Sequence, residues 1–193
     1  DILADWESEL GYRDQLLIAA ETYRLWAIEA DPDDEALRNR LAWTDVDDGI
    51  VLTDDIAPYR ERKVRILNGT HTIAVPAAYL AGADTVHEAT QDPVIGTFMR
   101  RVMAEIAPTL DAPGAGAFAE DVWRRFSNPF IDHQLLDITF QATTKLGVRV
   151  VPTLKRYASL HDDVPPAIAL GFAAYLLFMR GGTSDRNGYA LRD

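Results

Sequence analysis

The stretch Lys63-Val64-Arg65-Ile66-Leu67-Asn68-Gly69-Thr70-His71 sets a lysine, an asparagine and a histidine at offsets of 0, 5 and 8 residues. On an α-helix, which turns by about 100° per residue, these three side chains would lie within one arc of about 140°. The apolar residues that share this arc are Val64 and Leu67. A helix face of this kind is typical of a wall that faces the interior or lines a pocket.

The three polar residues suit proton transfer at an alcohol or carbonyl carbon. A lysine on a buried face loses hydration, which favours the neutral amine and allows it to act as a general base. Asn68 offers an amide donor to a carbonyl oxygen, and His71 can bind a hydroxyl group. The same pattern also fits a structural helix in which Lys63 reaches solvent, Asn68 is a cap and His71 is a core histidine.

The composition restricts the partners that this chain can have. Of its 193 residues 48% are hydrophobic and 25% are charged, which is typical of a globular domain. The net charge of -11 argues against nucleic acid and anionic membranes as partners, because both select for basic patches. An acidic substrate would therefore need lysine or arginine concentrated at its site.

The absence of cysteine excludes disulfides, thiolate metal sites and cysteine nucleophiles, and it favours a reducing, cytoplasmic location. The chain starts at Asp1 without a methionine and shows no signal-peptide pattern, so we expect a fragment or a processed chain. The apolar run over residues 167–179 is too short to span a bilayer and predicts a buried helix.

Periodicity and capping signals predict a mainly α, single-domain fold over residues 1–193 with one or two short strands. The predicted strands are residues 50–52 and a possible strand or loop at 16–18, and residues 21–29 show near alternation. Capping by Thr53 or Asp54 would start a long helix running through Lys63 to Asn68. The other predicted helices are residues 35–41, 70–81 with Pro76 inside, 85–89, 93–106, 117–126, 130–145, 151–160 and a last helix from Pro166 to Gly181.

Two motifs that resemble functional sites are better explained by local structure. Residues 114–119 match G-x-G-x-x-A, but Pro113 precedes them and no strand leads in, so we predict a loop and a helix start instead of a dinucleotide fingerprint. His133 and Asp137 lie four residues apart and could share a metal, although an isolated pair is more typical of a surface contact. We therefore predict no metal site.

The pattern K-x-x-x-x-N-x-x-H at residues 63–71 resembles the active-site helix of the polyol-specific long-chain dehydrogenases, the mannitol dehydrogenase family. Similarity covers about residues 10–180 and is greatest to the branch of the tagaturonate reductases (altronate oxidoreductases). The segments that carry it are residues 21–29, 59–72, 75–82, 85–89 and 125–137. The resemblance implies a multi-helical C-terminal substrate domain, similar to that of 6-phosphogluconate dehydrogenase.

The resemblance also implies roles for individual residues. Such enzymes transfer a hydride between a nicotinamide cofactor, here expected to be NAD, and a sugar or sugar acid without a metal. Lys63 would be the general acid/base, Asn68 would polarise the reacting oxygen, and His71 would bind a neighbouring hydroxyl. Lys145 and Asp137 would bind substrate, and Asp137 departs from the arginine of the mannitol pattern.

The same resemblance implies that an N-terminal dinucleotide-binding domain is absent from these 193 residues and would be the partner of this domain in the intact enzyme. We expect an isolated fragment to be inactive. Three other functions stay open: a mannitol 2-dehydrogenase, a fructuronate reductase, and a helical module that binds a small ligand without chemistry.

Overall fold

The computed structural model of this protein describes residues 2–18, 20–181 and 188–193. Its contacts separate two compact units, Asp1–Ile56 and Ala57–Asp193. Helices dominate the chain, and the two strands pair only with each other. The predicted mainly α fold with two short strands is thus confirmed.

The first unit contains a small parallel sheet. Strands β1 (Trp26–Glu29) and β2 (Ile50–Thr53) pair from Trp26 opposite Ile50 to Glu29 opposite Thr53. The other elements of this unit are helix α1 (Ile2–Leu10), helix α2 (Glu35–Arg40) and a 3-10 turn (Ala42–Val46). The predicted helix 35–41 and strand 50–52 are confirmed, whereas residues 16–18 form an exposed loop.

The second unit begins with one uninterrupted helical run over residues 57–81. It consists of α3 (Ala57–Arg62), a π-helix (Lys63–Gly69) and α4 (Thr70–Ala81). The run starts at Ala57, later than the predicted cap at Thr53 or Asp54, because Thr53 still pairs with Glu29 at the end of β2.

The later helices of this unit largely match the sequence predictions. They are α5 (Val86–Gln91), α6 (Pro93–Ile106), a 3-10 turn (Ala107–Thr109), α7 (Ala115–Phe126), α8 (Leu135–Ile138), α9 (Ala142–Arg149), α10 (Val151–His161) and α11 (Pro166–Phe178). Local caps explain the agreement. Asp92 accepts hydrogen bonds from the first amides of α6, and Thr85 forms a capping box with Glu88 at the start of α5.

The core of the second unit is built around α4, which is buried along nearly its whole length. It packs against α6, α8, α9 and α11. The approach of α11 is close because Gly171 has no side chain: a Cβ at this position would lie 2.7 Å from the Ile73 carbonyl oxygen. Packing in the core therefore holds α4, the helix that follows the π-helix, in position.

The single amphipathic helix predicted over residues 130–145 is wrong. The structure has a loop up to Gln134 and two short helices, α8 and α9, separated at Gln141, whose φ of 53° is left-handed. At this break, hydrogen bonds to a distant residue and between the two short helices take the place of the backbone hydrogen bonds of a continuous helix. The Gln141 amide donates to the Arg192 carbonyl (2.9 Å), and the Lys145 ammonium donates to the Ile138 carbonyl (2.9 Å). Nor does Gly147 end α9, which continues to Arg149.

None of the helices in the described residues combines the length and apolarity that a bilayer crossing needs.

Candidate active site

The π-helix changes the geometry of the lysine, asparagine and histidine. Its i→i+5 hydrogen bonds make a wider turn than an α-helix, so residues five apart lie nearly one turn apart. Lys63 and Asn68 have this spacing, and they therefore come closer to a common side than the α-helical arc predicted. Single π turns within α-helices occur frequently at functional sites.

Burial increases along this run from Lys63 to His71. Lys63 is exposed, Asn68 is half-buried, and His71 is only 7% exposed. Lys63 thus does not face the interior, and its exposure agrees with the alternative in which it reaches solvent. In the described part of the chain, no hydrogen bond or ion pair engages the Lys63 ammonium or the Asn68 side-chain amide. Both groups are available to a ligand.

His71 is a buried, neutral imidazole. Its ring stacks on Phe126, with centroids 4.0 Å apart, and meets the edge of the His133 ring at 5.3 Å. Burial is the main cause that lowers its pKa to about 3, and the charges of His133, Arg149, Arg125 and Lys63 act in the same direction. Its Nε2 atom is buried and has no hydrogen-bond partner among the described residues. Such an orphaned polar atom in a native core calls for a partner.

Lys145 and His71 line the same small cavity. The cavity has a volume of only about 10 Å³, and its walls are His71, Thr72, Val75, Pro76, Ile138, Thr139, Ala142 and Lys145. Burial lowers the pKa of Lys145, and the neighbouring Arg149 charge adds to this shift. Two residues predicted from distant parts of the sequence, His71 and Lys145, are therefore brought to one site.

The structure does not bring Asp137 to this cavity. Its carboxylate is 70% exposed and pairs with the Arg192 guanidinium at 3.0 Å. Among residues 2–18, 20–181 and 188–193, no three histidine, aspartate or glutamate side chains are grouped so that they could hold a metal ion. The His133 and Asp137 pair likewise gains no third ligand there.

Sequence reasoning missed two arginines that contribute charge at His71. Arg149 is half-buried and donates from Nη1 to the Thr72 hydroxyl at 3.3 Å, and Arg125 precedes Phe126 on α7. Arg149 follows Lys145 by four residues, a spacing that places both on one helix face, and this signal could have identified it. Together with Lys63 and Lys145 these arginines make the site cationic in a chain of net charge -11.

The glycine-rich stretch at residues 114–119 does not form a dinucleotide site. Gly114 has a φ of 75° and is the last residue of a loop, and α7 starts immediately afterwards. No strand leads into it, as a strand–turn–helix phosphate site would require.

Comparisons with known proteins agree with this architecture. The family model for the mannitol dehydrogenase C-terminal domain matches residues 55–193. The altronate oxidoreductase of Pectobacterium carotovorum (strain PC1) is 41% identical over 97% of this chain, and that of Bacillus subtilis is 40% identical over 92%. The chain spans about 39% and 37% of the length of these two relatives.

Solved structures show the same fold. The structure of Pseudomonas fluorescens mannitol 2-dehydrogenase in a ternary complex with NAD and D-mannitol matches the whole chain with a TM-score of 0.75 and 28% identity. The chain covers 38% of that protein. A substrate-free D-sorbitol dehydrogenase matches with a TM-score of 0.82 at 24% identity, which supports the fold alone. With the family model matching all but the first part of its length, this chain belongs to the mannitol dehydrogenase family and carries that family's C-terminal domain.

Proposed function

We propose that this chain is the substrate domain of an NAD-dependent oxidoreductase that interconverts tagaturonate and altronate. The altronate oxidoreductases at 40–42% identity support the sugar-acid substrate over a neutral ketose, since the mannitol 2-dehydrogenase is only 28% identical. The concentration of cations around His71 also suits an anionic substrate.

The observation that carries this proposal is the set of unpartnered polar groups along one helical run. The Lys63 ammonium, the Asn68 amide and the His71 Nε2 atom have no partners among the described residues, although Asn68 is half-buried and His71 buried. Buried polar groups are ordinarily paired, so a substrate with several oxygen atoms would satisfy them.

In this mechanism Lys63 moves the proton. During reduction its ammonium donates a proton to the ketone oxygen as the carbonyl carbon becomes a secondary alcohol, and during oxidation its amine takes the hydroxyl proton. Asn68 donates a hydrogen bond to the same oxygen and stabilises the negative charge that develops there. An exposed lysine without an acidic partner among the described residues is free to reach that oxygen.

His71 and Lys145 would hold the rest of the substrate. The low pKa of His71 keeps the imidazole neutral at physiological pH, so it can bind a hydroxyl group without competing for the reacting proton. Lys145 would bind a carboxylate or hydroxyl at the other wall of the cavity. Asp137 would bind substrate only after release from Arg192.

The nicotinamide would bind in a part of the intact enzyme outside these residues, because neither of the two described strands is followed by a glycine-rich turn into a helix. When bound, it supplies the hydride.

An assay of the intact enzyme that contains this chain tests the proposal. NADH oxidation would be followed with tagaturonate, fructuronate and fructose at equal concentrations. We expect turnover with tagaturonate at the highest kcat/KM. Preference for fructuronate or fructose would indicate a fructuronate reductase or a mannitol 2-dehydrogenase of the same family. Absence of turnover with all three would favour a module that binds a small ligand without chemistry.

A further inference from the structure

Arg149 is a half-buried arginine for which the described residues supply no carboxylate partner. In the part of the chain that the structure describes, the arginines paired with carboxylates include Arg65 with Glu61, Arg124 with Asp121 and Arg192 with Asp137. The side-chain hydrogen bond of Arg149 among these residues goes to the neutral Thr72 hydroxyl. A guanidinium carries five N–H donors, so most of its capacity is unused.

The backbone holds Arg149 in place beside the π-helix. The Arg65 guanidinium donates to the carbonyls of Val148 and Arg149 at the end of α9. A Cβ at Gly69 would lie 3.5 Å from the Arg149 carbonyl oxygen, an ordinary contact distance, so the end of α9 packs directly against the π-helix. The backbone at Arg149 is therefore anchored to the element that carries Lys63 and Asn68.

The guanidinium of Arg149 lies beside the cavity, close to His71 and Lys145, the two ionisable residues that line it. Thr72, which it contacts, lines the cavity next to His71. Its charge acts on both His71 and Lys145, and burial lowers the pKa of Arg149 itself. Two cations held together at partial burial without a carboxylate are unfavourable unless an anion joins them.

We propose that Arg149 binds the carboxylate of the sugar acid, next to Lys145, and thereby makes the site selective for acids over neutral polyols. The inference rests on the proposed function and adds a specificity-determining residue to it. A planar guanidinium matches a carboxylate with two parallel hydrogen bonds, which a single ammonium cannot offer.

The test uses the intact enzyme and the variant Arg149→Gln, with Arg156→Gln on α10 as a control that loses the same charge from an exposed position. KM and kcat are measured for tagaturonate, and inhibition constants for altronate and for altritol, the polyol in which a hydroxymethyl group replaces the carboxylate. We expect Arg149→Gln to raise the KM for tagaturonate and the inhibition constant of altronate by about 10- to 100-fold. The inhibition constant of altritol should change by less than about 3-fold, and kcat should stay near that of the wild type. Arg156→Gln should behave as the wild type.

If Arg149 had a purely structural role, Arg149→Gln would weaken the binding of altronate and altritol equally, or it would lower kcat at constant KM. Either result overturns the inference. If Arg149→Gln does not fold, phenylglyoxal labelling of the wild type decides. Altronate should protect Arg149 and altritol should not, as read by mass spectrometry, and equal labelling in both would again overturn it. Failure of the proposed function is distinct from both results, because the wild type would then not turn over tagaturonate.

Discussion

The helical run 57–81 and the segment 135–149 both contribute walls to the cavity at His71, but they are held in different ways. The first is continuous, and its own backbone hydrogen bonds fix the relative positions of Lys63, Asn68 and His71. The second is broken at Gln141 and relies on bonds to Arg192 and across the break from Lys145. The residues proposed to react thus lie on an element held by its own backbone hydrogen bonds, whereas Lys145, proposed to bind substrate, lies on an element held by its neighbours.

Loss of the lysine should produce the largest effect if the first element carries the chemistry. In the intact enzyme we expect Lys63→Ala to lower kcat by about 10³-fold, within the range for loss of a general acid/base. Lys155→Ala removes an exposed lysine of α10 and serves as the control. Circular dichroism should show both variants folded. A kcat near that of the wild type in Lys63→Ala would end the role proposed for this residue.

A pH titration of stability tests whether the first element contains a buried neutral imidazole. The pKa of His71 is about 3 in the folded protein, against 6.5 for an unperturbed histidine, so the unfolded chain binds the proton more readily between these values. The contribution of His71 to stability is complete above pH 6.5 and is lost as the pH falls towards 3. The loss amounts to about 1.4 kcal/mol per pH unit and is on the order of 5 kcal/mol in all.

Urea unfolding of the wild type and of His71→Gln at several pH values measures this contribution, since the difference between the two proteins cancels the other titrating groups. We expect the wild type to lose more stability on acidification. Parallel curves for the two proteins would mean that His71 is hydrated and titrates normally.

Substitution of Lys145 asks whether the second element only binds substrate. We expect Lys145→Met to raise KM for tagaturonate by about 10- to 50-fold with kcat changed less than about 3-fold, because an ammonium contact to the substrate is lost. Lys155→Met is the matched control. A loss of kcat as large as that of Lys63→Ala would mean that Lys145 takes part in the chemical step as well as in substrate binding.

The smallest expected effect is on stability, from a substitution at Gln141, where the segment 135–149 is interrupted. Gln141 has a φ of 53° and a ψ of 45°, a left-handed conformation that glycine adopts without steric cost. We expect Gln141→Gly to stabilise the protein by about 0.5–1 kcal/mol in urea unfolding. Asp162→Gly, at a φ of 50°, is the comparison and should gain less because aspartate tolerates this region better. Destabilisation of Gln141→Gly would show that the glutamine side chain itself holds the break.

Sequence reasoning succeeded where the cause of a structure is local. The start of α6 followed from Asp92 and Pro93, and α5 from Thr85 and Glu88, because a cap acts within one turn. The break at Gln141 depends on Arg192, about 50 residues away, and no periodic pattern reports such a bond.

The site was predicted only in part, for a similar reason. The sequence pattern selected His71 and, by resemblance, Lys145, which line one cavity. It missed Arg149 and placed Lys63 on a buried face, because the i→i+5 turn that changes the helical arc has no sequence signature.

The π-helix makes this region sensitive to length as well as to chemistry. Removal of one residue between Lys63 and Gly69 would allow the wider turn to close into an ordinary α-helix. Because the wider turn accommodates one additional residue, its closure would keep α3 and the buried face of α4 nearly in register, and the change would stay within the turn. A single-residue deletion would thus leave the fold in place while removing the wide turn between Lys63 and Asn68, so a one-residue alignment gap at this point would separate members that have the π-helix from members that have an ordinary α-helix.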